Sequence, residues 1–141
     1  MKRALVVAFV AALALTAGAA LAQDTVKIGV ITSITGRFAE FGEQHQAGIK
    51  AALEDVNAAG GVNGRTVEVV YEDDTSEVNA ALTAGEKLVN QGLPLVMGAY
   101  SSSITGPLAQ YFTRQKRPFV VYTSADDAIT KPGSDWVFRI N

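Results

Sequence analysis

Short apolar runs alternate with longer segments of helical periodicity along most of the chain. The apolar, β-branched runs predict five strands, at 25–31, within 62–72, and at 93–98, 118–122 and 136–141. The longer segments space apolar side chains three and four residues apart and predict three helices, at 43–61, 73–92 and 101–116. Apolar strands separated by single helices are typical of a parallel sheet that is covered on both faces. The pattern therefore predicts an α/β fold, a doubly wound parallel sheet with helices on both faces.

Glycine and proline mark where the predicted elements end or bend. Gly60 and Gly61 end the first helix, because glycine tolerates the left-handed conformation that follows a helix. Pro107 is expected near the first turn of the third helix, where proline is tolerated. The apolar stripe of the first helix is expected to face the sheet and consists of Ala47, Ile49, Ala52, Leu53 and Val56.

Residues 1–22 have the organisation of an export signal. Lys2 and Arg3 precede an apolar run, and the small-residue pattern Ala20-Leu21-Ala22 follows it. This order predicts a secretory signal peptide that is cleaved near Ala22. The alternative is an uncleaved membrane anchor, but the run is short for a span of about 20 residues. The mature chain, 23–141, is expected in the periplasm and not embedded in the membrane.

Composition excludes several function classes. The formal net charge is −2 and the basic residues are scattered, so nucleic acid is not an expected partner. The chain has no cysteine, which excludes disulfides and thiol chemistry. Its one histidine, His45, falls on the first helix and is expected to be exposed there. No cofactor and no metal site are predicted.

Three predicted loops are candidates for binding a small ligand. In open α/β sheets, ligands bind beyond the carboxyl ends of the strands and beside helix N-termini. Glycine and hydroxyl residues are concentrated after the first, third and fourth strands, at 32–42, 98–103 and 123–127. Two of these loops also carry an aromatic residue, Phe41 or Tyr100.

The serine run Ser101-Ser102-Ser103 admits three interpretations. Its backbone amides at a helix N-terminus favour an anion, and a carboxylate could accept bonds from the amides and a serine hydroxyl together. Plain helix capping is the alternative, although one serine would suffice for that. A serine nucleophile is disfavoured, because the G-x-S-x-G elbow is absent and the only histidine is on the first helix.

Two acidic pairs lie in the predicted loops after the second and fourth strands. Asp73 and Asp74 lie in an acidic loop that lacks the order of a calcium loop, and they are expected to cap the second helix. Asp126 and Asp127 could either hold a cationic group or cap a short helix, and the sequence favours neither.

The joint pattern resembles the periplasmic substrate-binding proteins of branched-chain amino-acid ABC transporters. The opening VKIGVITSITGRFAEFGEQHQAGIKAALEDVNAAGGVNGRTVEVVYEDD is similar to the start of that family. LVMGAYSSSITGPLAQ is similar to its third strand and ligand loop, and RPFVVYTSADDAIT to its fourth strand and the loop after it. The resemblance covers the whole mature chain and implies a type I periplasmic binding fold.

The resemblance implies a receptor that captures a small amino acid, or a related carboxylate or amide, and delivers it to an inner-membrane ABC permease. No reaction is expected, so the chain is not expected to be an enzyme. The alternative is a ligand-sensing module of the same fold that acts on a signalling partner. Family members are two-lobed and much longer, so 23–141 is expected to be part of the N-terminal lobe.

The resemblance also assigns binding roles by position. Ser102 would donate its hydroxyl to the ligand carboxylate, with Ser101 or Ser103 in that role if the register shifts by one. The loop after the fourth strand would supply a carbonyl, amides and a hydroxyl, and two rings would line the pocket wall. The remaining implied ligand-binding residues are Thr123, Ser124, Ala125, Tyr100 and Phe41. The acidic pair in TSADD departs from the family pattern.

Overall fold

The computed structural model describes residues 24–141, which form one parallel sheet and the helices that connect its strands. The predicted signal peptide lies outside the described residues. The elements in chain order are β1 (Thr25–Thr32), α1 (Ala39–Ala58), β2 (Thr66–Asp73), α2 (Val78–Asn90), β3 (Val96–Met97), α3 (Ser102–Gln115), β4 (Phe119–Val121), a 3₁₀ turn (Asp127–Ile129) and β5 (Val137–Arg139).

The sheet has the order β2-β1-β3-β4-β5, and every neighbouring pair is parallel. Parallel strands bring all their carboxyl ends to one edge, so the loops that follow β1, β3 and β4 start side by side. The predicted α/β class and the parallel sheet are confirmed.

The main core lies between one face of the sheet and helices α2 and α3. Successive side chains of a strand point to opposite faces, and Ile31, Val121 and Val137 belong to this core. Phe112 of α3 stacks on Phe119 of β4, with ring centroids 4.8 Å apart. Burying one such ring contributes about 1.5–3 kcal/mol.

Helix α1 covers the opposite face, beside β1 and β2. Asn57 fixes its end to the sheet, since its amide group donates to the Val67 carbonyl and accepts from the Val67 amide. The predicted apolar stripe of α1 is only partly correct. Ile49 and Leu53 are half-buried, whereas the stripe's other three members are exposed: Ala47, Ala52 and Val56.

The face that carries α1 also exposes apolar side chains of the far strand. Phe138 follows Val137, which points into the core, so Phe138 points to the α1 side of the sheet, where it is 52% exposed.

Pro107 lies in the second turn of α3 and not in the first, so it removes one helical hydrogen bond. Within 24–141, no helix has the length and hydropathy that crossing a membrane requires.

Candidate functional site

The loops after β1, β3 and β4 meet at the carboxyl edge of the sheet. The Phe41 ring, at the start of α1, stacks on the Tyr100 ring with centroids 4.1 Å apart and planes 10° apart. The Ser124 hydroxyl lies 3.0 Å from the carbonyl oxygens of both Ala99 and Tyr100. These contacts join the first loop to the second and the second to the third, so the three candidate loops form one site.

The serine run begins α3 without acting as a side-chain cap. Ser101 is the N-cap residue, with extended backbone angles, but its hydroxyl makes no capping hydrogen bond. It lies instead 2.8 Å from the Ser103 hydroxyl. Among residues 24–141, the amides of Ser102 and Ser103 have no hydrogen-bond acceptor. The start of α3 therefore presents two backbone donors and the half-buried side chain of Ser102.

Ser124 connects the loops through its side chain. Its hydroxyl lies 2.6 Å from that of Thr105, and both residues are buried, with 2% and 0% exposure. Thr105 Oγ1 also lies 2.9 Å from the Ser101 carbonyl oxygen. Ser124 thus holds the serine loop against the loop after β4.

Two residues near the end of the chain fix the loop after β4. Asn141 donates its side-chain amide to the Thr123 carbonyl at 2.8 Å. Arg139 donates one guanidinium N–H to the Ala125 carbonyl at 2.9 Å and another to Asp127 Oδ1 at 2.7 Å. Both loop carbonyls therefore already have donors, and the Thr123 side chain beside them is half-buried.

The structure gives different roles to the second acidic pair. Asp126 caps the 3₁₀ turn, because its carboxylate accepts the Ala128 amide at 2.9 Å. Asp127 instead pairs with Arg139. Capping is therefore observed for Asp126, and the positive partner of Asp127 belongs to the protein.

Aromatic rings form a continuous shelf beside the serine run. Tyr100 is central: Phe41 stacks on one side, and Phe38 meets it edge-on with centroids 5.2 Å apart. The ring of His45 lies 5.8 Å from Tyr100 and 5.0 Å from Tyr122. We call these five residues the ring shelf. Tyr100 directly precedes Ser101, so the shelf adjoins the free amides of α3.

His45 is half-buried at this edge, contrary to the expectation of an exposed helix residue. Its Nδ1 lies 3.5 Å from the hydroxyls of Thr32 and Tyr122, and its Nε2 lies 3.5 Å from the Thr123 hydroxyl. Burial lowers the pKa of His45 from its ordinary value, which favours the neutral ring. Burial also raises the pKa of Tyr122 to about 12, which keeps that hydroxyl protonated.

The first acidic pair organises the loop after β1, which corrects the prediction that it caps the second helix. Helix α2 has Glu77 as its N-cap and no side-chain cap. Asp73 Oδ1 accepts the amides of Ile34, Thr35 and Thr75, and its Oδ2 accepts the Thr35 hydroxyl at 2.6 Å. The cause is positional, because β1 and β2 are neighbours and the end of β2 faces the loop that leaves β1.

Asp74 is fully buried beneath the same loop. Its Oδ1 accepts the Ser33 hydroxyl at 2.6 Å and the Ser76 amide at 2.8 Å. Its Oδ2 is the one buried side-chain polar atom within 24–141 that lacks a hydrogen-bond partner. The Asp74 charge contributes to the raised pKa of Tyr122, which connects this carboxylate electrostatically to the ring shelf.

Replacing Asp73 with asparagine should reduce stability at neutral pH and weaken its acid dependence. Partial burial raises the pKa of Asp73, but its hydrogen bonds outweigh burial and hold it below 3.8. The charged form therefore favours the folded state above pH 3.8, and this contribution disappears as the pH falls through the lower folded-state value. We expect D73N to lose about 1 kcal/mol at pH 7 through its weaker hydrogen bonds, with the gap to wild type narrowing below pH 4.

The measurement is urea unfolding of both proteins from pH 7 to pH 3. Asp55→Asn, an exposed carboxylate on α1, is the matched control and should follow wild type. If the difference in unfolding free energy between D73N and wild type stays constant across this pH range, the lowered pKa of Asp73 does not contribute to stability as proposed.

The sequence did not indicate His45, Tyr122 or Asp74 as parts of this edge, and Thr32 was predicted only as the first residue of the candidate loop 32–42. One signal was available for His45, because it lies four residues after Phe41 and shares its helix face. Thr32 ends β1 and Tyr122 follows β4, and only the parallel sheet, in which β3 lies between these two strands, brings both positions to the same edge.

The sequence matches a known protein family and several of its members. A family model described as periplasmic binding protein matches residues 25–141. The leucine-, isoleucine-, valine-, threonine- and alanine-binding protein of Pseudomonas aeruginosa is 34% identical over 119 residues. That alignment covers 84% of this chain and 32% of the relative, so the chain spans about a third of the length of this relative.

Solved structures share the fold. The branched-chain amino acid transporter substrate binding protein LivJ from Streptococcus pneumoniae, in complex with isoleucine, matches with a TM-score of 0.76 and 32% identity. A solute binding protein of an ABC transporter from R. palustris, in complex with 4-hydroxybenzoate, matches with a TM-score of 0.71 and 30% identity. Each alignment covers 82% of this chain, and 33% and 31% of the respective structures.

Proposed function

Because this chain belongs to the periplasmic binding protein family, we propose that it is part of a solute receptor that binds a small carboxylate at the start of α3. The receptor acts in the periplasm and delivers its ligand to an ABC permease in the inner membrane. It binds the ligand without transforming it.

The observation that supports this proposal is the set of unbonded backbone donors at the start of α3. The amides of Ser102 and Ser103 have no acceptor within the described part of the chain, and the Ser101 hydroxyl does not cap them. A carboxylate placed there would receive two backbone hydrogen bonds, a third from the Ser102 hydroxyl, and the favourable field of the helix dipole. Hydrogen bonds to a charged group contribute about 1.5–3 kcal/mol each.

The two ligands named for the similar structures agree with this chemistry. Isoleucine and 4-hydroxybenzoate share a carboxylate on a largely apolar body, although their bodies differ in shape. The ring shelf beside Ser101 provides an apolar wall for such a body. The shared group is the one that the start of α3 would recognise.

The arrangement of hydroxyls supports binding over catalysis. Both nitrogens of His45 lie near threonine and tyrosine hydroxyls, and the hydroxyls of Ser101 and Ser103 contact each other. A serine nucleophile would need the base within hydrogen-bond reach.

Titration calorimetry on the full-length protein tests the proposal. The ligands are leucine, isoleucine and 4-hydroxybenzoate, each paired with the primary amide that replaces its carboxylate. We expect at least one carboxylate to bind, and its amide to bind at least about 10-fold more weakly, because a charged acceptor is lost. Ser102→Ala should weaken binding of the carboxylate about 10-fold through the lost hydroxyl.

Thr83→Ala is the matched control, since it removes an exposed hydroxyl that bonds only the Asn79 carbonyl on α2. It should leave the affinity unchanged. The proposal is wrong if amides and carboxylates bind equally well, or if S102A binds like wild type.

A further inference from the structure

The polar end of the ring shelf has hydrogen-bonding groups that an aliphatic side chain of a ligand could not bond. His45, Thr32, Tyr122 and Thr123 bring two ring nitrogens and three hydroxyls together at the carboxyl edge. All but Thr32 are half-buried, and Thr32 is fully buried.

The hydrogen bonding within this group is weak. Each distance from a ring nitrogen of His45 to a hydroxyl is 3.5 Å, beyond the usual range of about 2.7–3.2 Å. In the neutral form of the ring, which burial favours, one nitrogen donates and the other accepts. A donor or acceptor that is partly withdrawn from water and poorly bonded gains from a stronger partner.

The position of this group relative to the serine run defines the shape of a suitable ligand. Tyr100 links the two ends, because it precedes Ser101 in the chain and its ring contacts those of Phe41 and His45. A ligand whose carboxylate meets the amides of Ser102 and Ser103 would lay its body along Tyr100. Its far end would then approach His45 and Thr123.

We propose that the ligand is a hydroxylated aromatic carboxylate, and that His45 determines specificity by hydrogen bonding to the ligand hydroxyl. The hydroxyl donates to the unprotonated nitrogen of His45 and accepts from Thr123 or Tyr122. The flat ring packs against the outside of the stacked pair of Tyr100 and Phe41, in an offset or edge-on arrangement of the kind that aromatic rings prefer. This inference rests on the proposed function, since it uses the carboxylate bound at α3 as the first anchor.

Discrimination of this kind is strong when a site is built to bond a hydroxyl. A ligand without the hydroxyl leaves buried polar groups unsatisfied, whereas an apolar pocket distinguishes ligands only weakly. An aliphatic side chain would place methyl groups against the imidazole and the Thr123 hydroxyl. The site should therefore prefer 4-hydroxybenzoate to benzoate, and both to leucine.

The test measures dissociation constants of 4-hydroxybenzoate, benzoate and leucine for the full-length protein by calorimetry at pH 7.5. We expect 4-hydroxybenzoate to bind at least about 10-fold more tightly than benzoate, because benzoate lacks the hydroxyl and so loses one well-placed hydrogen bond. His45→Leu should reduce this ratio to near one. His45→Gln, which keeps one donor and one acceptor, should preserve part of it.

Gln44→Leu is the control on the same helix, because Gln44 is exposed and adjacent to His45 in the chain. It should keep the wild-type ratio. Circular dichroism checks that each variant is folded. If H45L does not fold, H45Q still tests the inference.

The outcomes separate this inference from the proposed function. If leucine binds more tightly than 4-hydroxybenzoate, or if H45L keeps the wild-type ratio, the inference is wrong while carboxylate binding at Ser102 stands. If none of the three carboxylates binds, the inference is overturned together with the present choice of ligand class. If they bind but S102A has no effect, the proposed site itself is wrong.

Discussion

Substituting proline for Ser102 should weaken carboxylate binding by about 100-fold or more while leaving α3 folded. Ser102 is the first residue of α3, the position at which proline is most readily accepted in a helix. Ser101 before it has φ −82° and ψ 134°, which is the extended conformation that a residue before proline prefers. The substitution removes the Ser102 hydroxyl and its amide N–H together, two donors worth about 1.5–3 kcal/mol each to a carboxylate.

Comparison with alanine separates the two donors. Ser102→Ala removes only the hydroxyl, so the affinity of S102P relative to S102A measures the backbone amide, with an expected difference of about 10-fold. Calorimetry with the tightest carboxylate of the panel gives the affinities, and thermal unfolding without ligand checks the fold. Equal affinities for S102P and S102A would show that the amide does not contact the ligand.

The parallel sheet was predictable because its cause is local. Apolar strands such as 25–31 and 118–122 alternate with single helices, and few folds bury such strands. The meeting of the three loops then follows from the sheet alone, since parallel strands end at one edge. Phe41 and Tyr100, predicted from separate loops, are in direct contact for this reason.

The roles of individual side chains depended on partners that are distant in sequence. Asp73 looked like a helix cap, but its carboxylate bonds the Ile34 amide, which the pairing of β1 with β2 brings within reach. The loop of Thr123, Ser124 and Ala125 was expected to offer a hydroxyl to a ligand, and the Ser124 hydroxyl instead contacts Thr105 and two backbone carbonyls. Whether Ser102 and Thr123 contact the ligand stays a prediction.

His45 shows the limit of helical periodicity. The apolar stripe of α1 indicated which face should be buried, but Ala52 and Val56 on that stripe are exposed. The first turns of α1 pack instead against the loop after β1, and Gly42 is the one buried residue of this helix. Close backbone packing of this kind depends on the absence of a side chain, which a hydrophobicity pattern does not register.

Gly42 is the position in α1 at which a single methyl group should cost most. A Cβ atom there would overlap the Ser33 carbonyl oxygen and lie 2.6 Å from the Ser33 carbonyl carbon. Because backbone cannot rotate aside as a side chain can, α1 and the loop after β1 must separate. We expect Gly42→Ala to destabilise the protein by about 2–3 kcal/mol, although alanine favours a helix by about 1 kcal/mol over glycine.

Gly48→Ala is the matched control, because it makes the same change in the same helix with nothing within 4 Å of the new methyl group. It should stabilise the protein by up to about 1 kcal/mol, so urea unfolding should separate the two variants by about 3 kcal/mol. Gly42 lies between Phe41 and His45 along the chain, so the displacement of α1 in G42A should also weaken ligand binding, whereas G48A should bind normally. Similar unfolding midpoints for the two variants would mean that the loop yields to the methyl group, and that the close contact of α1 with Ser33 is not what positions the ring shelf.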